Sequence, residues 1–567
     1  MSTYAAFRRQ SVPQQYAQNL QTVTLPAPTR GIIQSENDAY MQPGGAVVQD
    51  NWVSTLRGVK LRGGTVLYCD LHAGGGEGWD TGKWDIAQWD VDPVAPVAVV
   101  REPVVSMFSY VNGDNMHRMF AGQRTKLFDV TLPLAVPVKS GQTSGNYAAT
   151  QLANLSGEHL IVVNDAGDPV LHFDGAIWET FDADQLTAPA GSGPEHGRGL
   201  TYVWAYRGRL FFIEGGTMNA WFLNVDEYQG ALQMIPLGGS AAKGGALLFG
   251  ATWSVDTGDG VDDKCVFCTT QGELIIFSGG NPGDPADWAQ QGRYAIGRPM
   301  GMNGHMLIGG DLLIMTVDGI VPTSQAIAKD SGTLDLAMVT NTIRPMWRSE
   351  VSLKSDLPWT MIRWDSFGGI FVTWPGGLPG AQYCAVMNNA TTAWSRLPGY
   401  DARAFALMYD DLYYGSSDGR IIQCERGGTD LGAPYVATLV GGWEMFQAPS
   451  SETVWHQARA VFAARSGQPF VPQLNATVDY LVTIPPPPPA GPDPGVQDVW
   501  DQGLWDVARW DQPAAARPPI RNTMWVSIGK TGFAHAPVVQ VTVAQQAPPD
   551  VELLALSATY ERAGVNV

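Results

Sequence analysis

Seven glycine-centred turn signals recur along this chain, and apolar runs rich in β-forming residues flank each of them. A tight hairpin turn needs backbone with φ above zero, which glycine adopts without strain. A hairpin that repeats every ~40–50 residues is typical of the blades of a β-propeller. The steps between successive signals are 45, 48, 57, 47, 57 and 43 residues, and the glycines are Gly122, Gly167, Gly215, Gly272, Gly319, Gly376 and Gly419. The spacing therefore predicts an all-β chain with a propeller of roughly seven blades.

The composition is typical of a large all-β protein, and the net charge limits which partners the protein can bind tightly. The chain has 567 residues, of which 65 are glycine and 10% are aromatic, whereas only 16% are charged. The formal net charge is −19. A protein that grips nucleic acid through its phosphates is normally basic, so this balance argues against tight DNA binding. It is compatible with an acidic wall past which DNA slides, because like charge prevents sticking.

Cysteine content and hydropathy indicate the compartment. The five cysteines are sparse and odd in number, which favours a reducing compartment over a disulfide framework. The N-terminal residues show no apolar core of a signal peptide, and no run of about 18 apolar residues occurs. We therefore expect assembly in a reducing compartment, the cytoplasm, and no membrane insertion.

Shifts in composition predict three regions. Residues 1–100 would hold an extended N-terminal arm, two or three strands and a tryptophan-rich loop, and residues 101–428 would form the propeller. Residues 429–567 would form a β-sandwich-like C-terminal domain. Five consecutive prolines, Pro485–Pro489, favour a stiff polyproline II spacer within this last domain. Helices are expected to be short, at Gln325–Lys329 or Ser349–Lys354 at most.

One internal duplication stands apart from the blades. WDTGKWDIAQWD at Trp79–Asp90 matches WDQGLWDVARWD at Trp500–Asp511, and both place Trp-Asp at three positions five residues apart. A period of five fits neither the strand nor the helix, so we predict looped segments whose tryptophans insert into a sheet or a neighbour. Trp84 and Trp505 are expected to be largely buried, with the two loops close in space. An intersubunit contact is the alternative.

No motif nominates a catalytic, cofactor-binding or metal-binding residue. SIGKTG at Ser527–Gly532 lacks the upstream glycine of a phosphate-binding loop. Cys265 and Cys268 have zinc-knuckle spacing but no second ligand pair, so core cysteines are the better interpretation. An acidic loop offers carboxylates for Ca²⁺ without the spacing of an EF-hand, and a solvated loop is its default interpretation. The carboxylates of that loop are Asp256, Asp259, Asp262 and Asp263. We predict no catalytic residue, no metal and no cofactor.

Three segments resemble a known family. Asn388–Gly432, NNATTAWSRLPGYDARAFALMYDDLYYGSSDGRIIQCERGGTDLG, resembles the last propeller blade of tail nozzle proteins of short-tailed phages, the tail tubular protein B type. Thr29–Gly64 is similar to the N-terminus of that family, and Trp525–Glu561 is similar to its closing β domain. Together the segments cover roughly a third of the chain, at both ends and in one blade. The duplicated Trp-Asp segment is not part of the family pattern.

The resemblance implies a structural virion protein of the phage tail rather than an enzyme. Such nozzles form a homo-oligomeric ring, usually a hexamer, below the portal and its adaptor ring. They carry tail fibres on the outside and form the conduit for genome ejection, so double-stranded DNA would pass without tight binding. The acidic balance and the rigid β scaffold are compatible with such a ring.

Two alternatives from other classes remain. A propeller glycosidase or lyase acting on cell-surface polysaccharide would need paired carboxylates at the propeller mouth. Asp114, Asp165, Asp318 and Glu425 flank the blade turns, but nothing in the sequence pairs them. A carbohydrate-binding receptor-recognition module is the other alternative. The native mass distinguishes them, because the nozzle predicts a large ring, the enzyme a monomer and the receptor binder a trimer.

Overall fold

The computed structural model divides the chain into two compact units. It describes residues 20–72, 101–182, 184–189, 193–194, 197–256, 261–329, 331–355, 357–374, 383–446, 451–464, 470–491 and 520–562. The propeller unit comprises Arg62–Tyr435 with Gln545–Pro548. The second unit comprises Met1–Leu61, Val436–Ala544 and Pro549–Val567.

The propeller unit is built from short antiparallel strands. Its strands in the first half are β5 Val66–Asp70, β6 Ser106–Val111, β7 His117–Gln123, β8 Lys126–Asp129, β9 Val136–Ser140, β10 Tyr147–Asn154, β11 Gly157–Asn164, β12 Leu171–Phe173, β13 Trp178–Thr180, β14 Leu186–Thr187, β15 Leu200–Tyr206, β16 Arg209–Glu214, β17 Asn219–Phe222, β18 Gly230–Ala231 and β19 Gln233–Pro236. Those in the second half are β20 Leu247–Asp256, β21 Val261–Thr269, β22 Glu273–Ser278, β23 Ala289–Ala295, β24 His305–Ile308, β25 Asp311–Thr316, β26 Gly319–Pro322, β27 Met361–Trp364, β28 Gly369–Trp374, β29 Tyr383–Asn388, β30 Trp394–Pro398, β31 Ala402–Met408, β32 Asp411–Ser416 and β33 Arg420–Gln423.

These strands form a β-propeller, which confirms the predicted fold class. Six blades are separate sheets: β6–β9, β10–β13, β15–β17 with β19, β20–β23, β24–β26, and β31–β33 with β5. Strands β27–β30 are a seventh group with the same antiparallel order. Strands of successive blades contact one another, mostly first strand to first strand and in one case β20 to β25, and β31 contacts β6, so the blades close into a circle.

An N-terminal strand completes the last blade. Strand β5 pairs antiparallel with β33 in the register Arg420↔Asp70 and Gln423↔Val66. Cys69 on β5 shares one buried cluster with Met119 and Phe128 of the first blade and with Tyr413 of the last. The circle is therefore closed by residues from both ends of the propeller sequence.

The glycine signals mark equivalent turns in most blades. Gly167, Gly215, Gly272, Gly319 and Gly419 all lie at the turn between the second and third strands of their blades. Gly122 differs, because it lies inside β7 and the turn falls at Arg124, whose φ is +42°. A Cβ on Gly122 would lie 2.1 Å from the Gly145 carbonyl oxygen, so close backbone approach explains this glycine. Gly376 lies outside the described residues.

Replacing Gly272 by alanine is expected to destabilise the propeller by about 2–3 kcal/mol, since a left-handed φ of +77° strains an L-residue. The new Cβ would also lie 2.5 Å from the Gly297 carbonyl oxygen. Gly216, in the equivalent turn of another blade, has φ +73° but nothing within 4 Å of its Cβ position. Gly216→Ala should therefore cost only the backbone strain, about 1 kcal/mol. If urea unfolding gave equal losses of unfolding free energy for Gly272→Ala and Gly216→Ala, the close approach of the Gly297 carbonyl would not explain the larger effect.

The second unit contains two groups of paired strands. Its strands are β1 Gln21–Pro26, β2 Ala46–Asp50, β3 Trp52–Ser54, β4 Val59–Leu61, β34 Tyr435–Gly441, β35 Thr453–Ala464, β36 Gln473–Val478, β37 Ile520–Asn522, β38 Val526–Gly532, β39 His535–Val543 and β40 Val551–Arg562. One sheet has the order β3-β4-β40-β35-β37, with β1 also on β40 and β38 also on β35. The other group has the order β2-β34-β39-β36. His535 Nε2 of β39 lies 2.8 Å from the Thr453 hydroxyl of β35, so side chains of the two groups are in contact.

Helices are few within the described residues. Three α-helices occur in the propeller unit, α1 Thr323–Ala328, α2 Ser331–Leu334 and α3 Arg344–Lys354. Four 3₁₀ turns occur at Asp38–Tyr40, Gly238–Ser240, Asp335–Ala337 and Asn341–Ile343. Helix α3 is longer than the Ser349–Lys354 helix that we predicted, because Pro345 occupies its first turn, where a missing N–H costs nothing. None of these helices is long and apolar enough to span a membrane.

The chain is divided differently from the predicted boundaries 1–100, 101–428 and 429–567. Strands β1–β4 belong to the second unit and β5 to the propeller, because β4 pairs with β40 whereas β5 pairs with β33. The proline run also differs from a free spacer, since Pro488 is buried and its carbonyl accepts a hydrogen bond from Thr542. Both Trp-Asp segments, with Trp84 and Trp505, and the N-terminal arm before residue 20 lie outside the described residues.

Candidate functional site

A cavity opens at one end of the propeller, and we call it the mouth. It has a volume of about 540 Å³. Its lining comes from the segments that precede the first strands of four blades and from the turns that follow the second strands of two of them, and includes Glu102, Arg124, Asn146, Asp165 and Ser355. Concave sites with a few convergent polar groups are where proteins usually bind small molecules.

Two hydrogen-bonded pairs line the mouth. The Arg124 guanidinium donates to Glu102 Oε1 at 2.9 Å, and Asn146 Nδ2 donates to Asp165 Oδ2 at 2.9 Å. Arg124 is 71% exposed, so the ion pair stabilises the fold little and its polar atoms remain open to a ligand. The mouth therefore presents both donors and acceptors without a large net charge.

A half-buried carboxylate holds the mouth loop in place. Asp168 accepts hydrogen bonds from the Thr143 backbone N–H at 2.6 Å and from Asn164 Nδ2 at 2.7 Å. Although burial opposes ionisation, these hydrogen bonds keep the pKa of Asp168 below its usual value. The loop that carries Thr143–Asn146 is thus fixed by an ionised side chain, which keeps Asn146 in position.

A second cavity, the channel, lies among the inner strands and has a volume of about 240 Å³. Val105 lines both the channel and the mouth. The Tyr202 hydroxyl lies 3.1 Å from His305 Nε2, and the His305 ring stacks on Phe249 with centroids 4.2 Å apart. Asn303 Nδ2 lies 3.4 Å from Asn146 Oδ1, so a polar path connects the channel with the mouth.

The channel is electrically neutral in its described lining. The lining contains no Lys, Arg, Asp or Glu among the residues that the structure describes. Removal from bulk water lowers the pKa of His305 to about 4, because the protein surrounds the ring and disfavours its charged form. His305 is therefore a neutral hydrogen-bonding group at physiological pH.

Acidification from pH 7 to pH 4 is expected to destabilise the protein partly through His305. An unfolded histidine has a pKa near 6.5, so below about pH 6.5 the unfolded state binds this proton first. Stability then falls with pH until about pH 4, where the folded ring also protonates. A pKa shift of this size changes the free energy of unfolding by up to about 3 kcal/mol. His305→Gln should flatten the pH dependence of the urea midpoint over this range, and an unchanged slope would contradict the buried neutral ring.

The four carboxylates considered for a glycosidase have separate surroundings. Only Asp165 lines the mouth. Asp318 lies 3.7 Å from Arg348, and Glu425 accepts a hydrogen bond from the Gly63 backbone N–H at 2.5 Å. Asp114 lies in the exposed turn between β6 and β7. The structure therefore does not bring the four predicted carboxylates to one site.

Other predicted motifs have structural roles where they are described. Cys265 and Cys268 are fully buried free thiols on β21, which confirms the core interpretation. SIGKTG lies on β38 and pairs with β35, so it forms no phosphate-binding loop. Ser254 donates to Asp263 Oδ1 at 2.6 Å, but the tip of this acidic loop lies outside the described residues. Over the described ranges, no group of three or more His, Cys, Asp or Glu could hold a metal ion.

Sequence reasoning missed most of the mouth and channel residues. Glu102 and Arg124 come from one blade, Asn303 and His305 from another about 200 residues further along the chain, and their spacing carries no motif. The blade repeat is the one signal that could have found them, since it places Glu102 and Asn303 just before first strands and Arg124 just after a second strand.

Comparisons with known proteins find only distant structural likenesses. No protein-family model and no curated protein matches the sequence. The β-propeller domain of Cps50 (Swd1) from Myceliophteria thermophila is 13% identical, with 57% of this chain and 96% of that chain covered and a TM-score of 0.34. Sqt1 from Saccharomyces cerevisiae is 10% identical, with 61% and 94% covered and a TM-score of 0.34. A putative 6-phosphogluconolactonase from Bacteroides fragilis is 10% identical, with 60% and 89% covered and a TM-score of 0.32. Likenesses this distant carry no argument about function.

Proposed function

We propose that this chain is a subunit of the tail nozzle of a short-tailed bacteriophage. In this proposal identical subunits form a ring, a hexamer in the related family, below the portal and its adaptor. The ring carries the tail fibres and forms the conduit through which the genome is ejected. The role is structural, with no catalytic residue and no cofactor.

The observation that carries the proposal is that the segments resembling nozzle proteins meet in the fold. Strand β4, in Thr29–Gly64, pairs with β40, in Trp525–Glu561. In the same two segments, the Arg57 guanidinium lies 2.6 Å from Glu552 Oε2 and the Thr55 hydroxyl donates to Glu552 Oε1 at 2.5 Å. A resemblance found at both chain ends thus corresponds to one physical unit rather than to two unrelated similarities.

The third segment also contacts the first. Arg62, near the end of Thr29–Gly64, forms a bidentate ion pair with Asp430 of Asn388–Gly432, with Nη2 to Oδ2 at 2.6 Å. Glu425 of the same segment binds the Gly63 backbone N–H. The residues that carry the resemblance therefore include the partners of a buried contact, which supports a shared architecture.

Weak binding of DNA is the property that this function requires. A conduit must not hold phosphates, and the net charge of −19 supports low affinity because each lysine or arginine contact would add a salt-dependent attraction. We expect fluorescence anisotropy with labelled duplex DNA to show weak, non-specific binding at moderate salt. Nanomolar affinity, or turnover of a polysaccharide by the same preparation, would contradict a passive conduit.

A further inference from the structure

The mouth and channel of the propeller form one connected, hydrogen-bonding site that the proposed nozzle function does not use. The two cavities share Val105, and the contact of Asn303 with Asn146 joins their polar groups. The combined volume of the two cavities is larger than one water molecule needs, and the mouth is open to solvent. The two cavities therefore adjoin one another within the propeller.

The absence of charged side chains in the described lining of the channel limits the chemical class of ligand that it can bind. The described lining of the channel contains no charged side chain, and His305 is neutral above about pH 5 since burial lowers its pKa to about 4. An anion would find no cation in the channel, and a cation would find no carboxylate, so an ion would lose its hydration without compensation. The channel therefore favours a neutral ligand.

Hydrogen-bonding capacity and aromatic surface narrow the class further. Asn303, Thr360 and the Tyr202–His305 pair supply amide, hydroxyl and imidazole groups, and all four residues line the channel. Phe108 and Phe405 supply apolar wall in the same cavity. A few polar groups set among aromatic rings fit a molecule that has both hydroxyl groups and an apolar C–H face.

The mouth extends the same chemistry. The Arg124–Glu102 and Asn146–Asp165 pairs each place a donor and an acceptor side by side. Neighbouring hydroxyls of a polyol can donate to the carboxylate of such a pair and accept from its guanidinium or amide. Because each charged group at the mouth keeps a hydrogen-bond partner, a neutral ligand replaces water there without leaving a buried charge.

We propose that the propeller mouth and channel bind a neutral saccharide, with one sugar ring inside the channel and any attached sugar at the mouth. The ligand source is either a free monosaccharide or the end of a glycan chain, since both present the same hydroxyl and C–H surfaces. Saccharide binding at this site does not depend on nozzle assembly or on DNA passage, because the site is formed within one chain.

Titration of the full-length protein with neutral sugars tests the proposal. The probes are glucose, galactose, N-acetylglucosamine and the disaccharide maltose, with sodium acetate as the charged control, measured by saturation-transfer NMR and calorimetry. We expect millimolar or tighter binding of at least one neutral sugar and none of acetate. Tighter binding of the disaccharide identifies a glycan end, and tighter binding of a monosaccharide identifies a free sugar.

Substitutions of channel residues test whether the sugar binds in this site. Asn303→Ala is expected to weaken binding at least 10-fold, and Tyr202→Phe, which keeps the ring, provides a second variant that preserves shape. Asn224→Ala, in an exposed loop of another blade, is the matched control and should bind like the original protein. Thermal melting checks that each variant is folded. Absence of binding by every neutral sugar, preferential binding of acetate, or unchanged affinity in both Asn303→Ala and Tyr202→Phe would overturn the proposal.

Discussion

Replacing Arg62 by methionine is expected to destabilise the propeller unit by about 3–5 kcal/mol, because the change leaves a carboxylate without its partner in the interior. The Arg62 side chain is fully buried and pairs with Asp430, which is only 18% exposed. Its guanidinium also lies over the rings of Tyr400 and Tyr435, with the carbon atom 4.6 and 4.1 Å from the ring centroids. Urea unfolding followed by tryptophan fluorescence measures the loss.

Two further variants separate the causes of that loss. Arg124→Met removes an ion pair of similar length from an exposed site, so it should cost less than about 1 kcal/mol. The double variant Arg62→Met with Asp430→Leu removes both charges and should recover part of the stability lost by Arg62→Met alone. A double variant no more stable than Arg62→Met would show that lost ring contacts, rather than the uncompensated charge, dominate.

Replacing Trp347 by alanine is expected to cost about 3–5 kcal/mol through the cavity left behind. Trp347 of helix α3 is fully buried, and its ring centroid lies 5.5 Å from that of Trp359 and 5.3 Å from that of Trp374. Its indole N–H also donates to the Thr316 carbonyl at 3.1 Å, so the substitution leaves a buried acceptor unpaired. Helix α3 should therefore detach before the rest of the unit unfolds.

Leu353→Ala on the same helix is the matched control. Leu353 is 79% exposed, so its truncation should change the free energy of unfolding by less than about 0.5 kcal/mol. Amide hydrogen exchange locates the effect, since Trp347→Ala should accelerate exchange in Arg344–Lys354 first. Equal losses of stability in the two variants would mean that the tryptophan cluster does not anchor the helix.

Local features of the fold could be predicted from the sequence, and long-range ones could not. Gly272 and Gly419 occupy the predicted turns, because the left-handed φ of a hairpin is decided by neighbouring residues. The pairing of β5 with β33 joins residues about 350 positions apart, and nothing in either segment specifies the partner. The assignment of β1 and β4 to the second unit depends on β40 in the same way, and that of β2 depends on β34.

The candidate site was the least predictable part of the molecule. The sequence indicates Asp165 only as one of four carboxylates beside blade turns that a glycosidase could use. In the structure these four carboxylates have separate partners. His305 and Asn303 precede or begin an inner strand, and their neighbours Tyr202 and Asn146 come from other blades. Such a site forms only when the blades close into a circle, so the spacing of its residues along the chain does not predict it.

The native mass of the purified full-length protein is the measurement that tests the proposed nozzle most directly. Native mass spectrometry at micromolar concentration should give a single closed assembly of six chains, since a heterologous interface that closes yields a ring of fixed size. A monomer would contradict the nozzle and favour the enzyme alternative, and a trimer would contradict it in favour of receptor recognition.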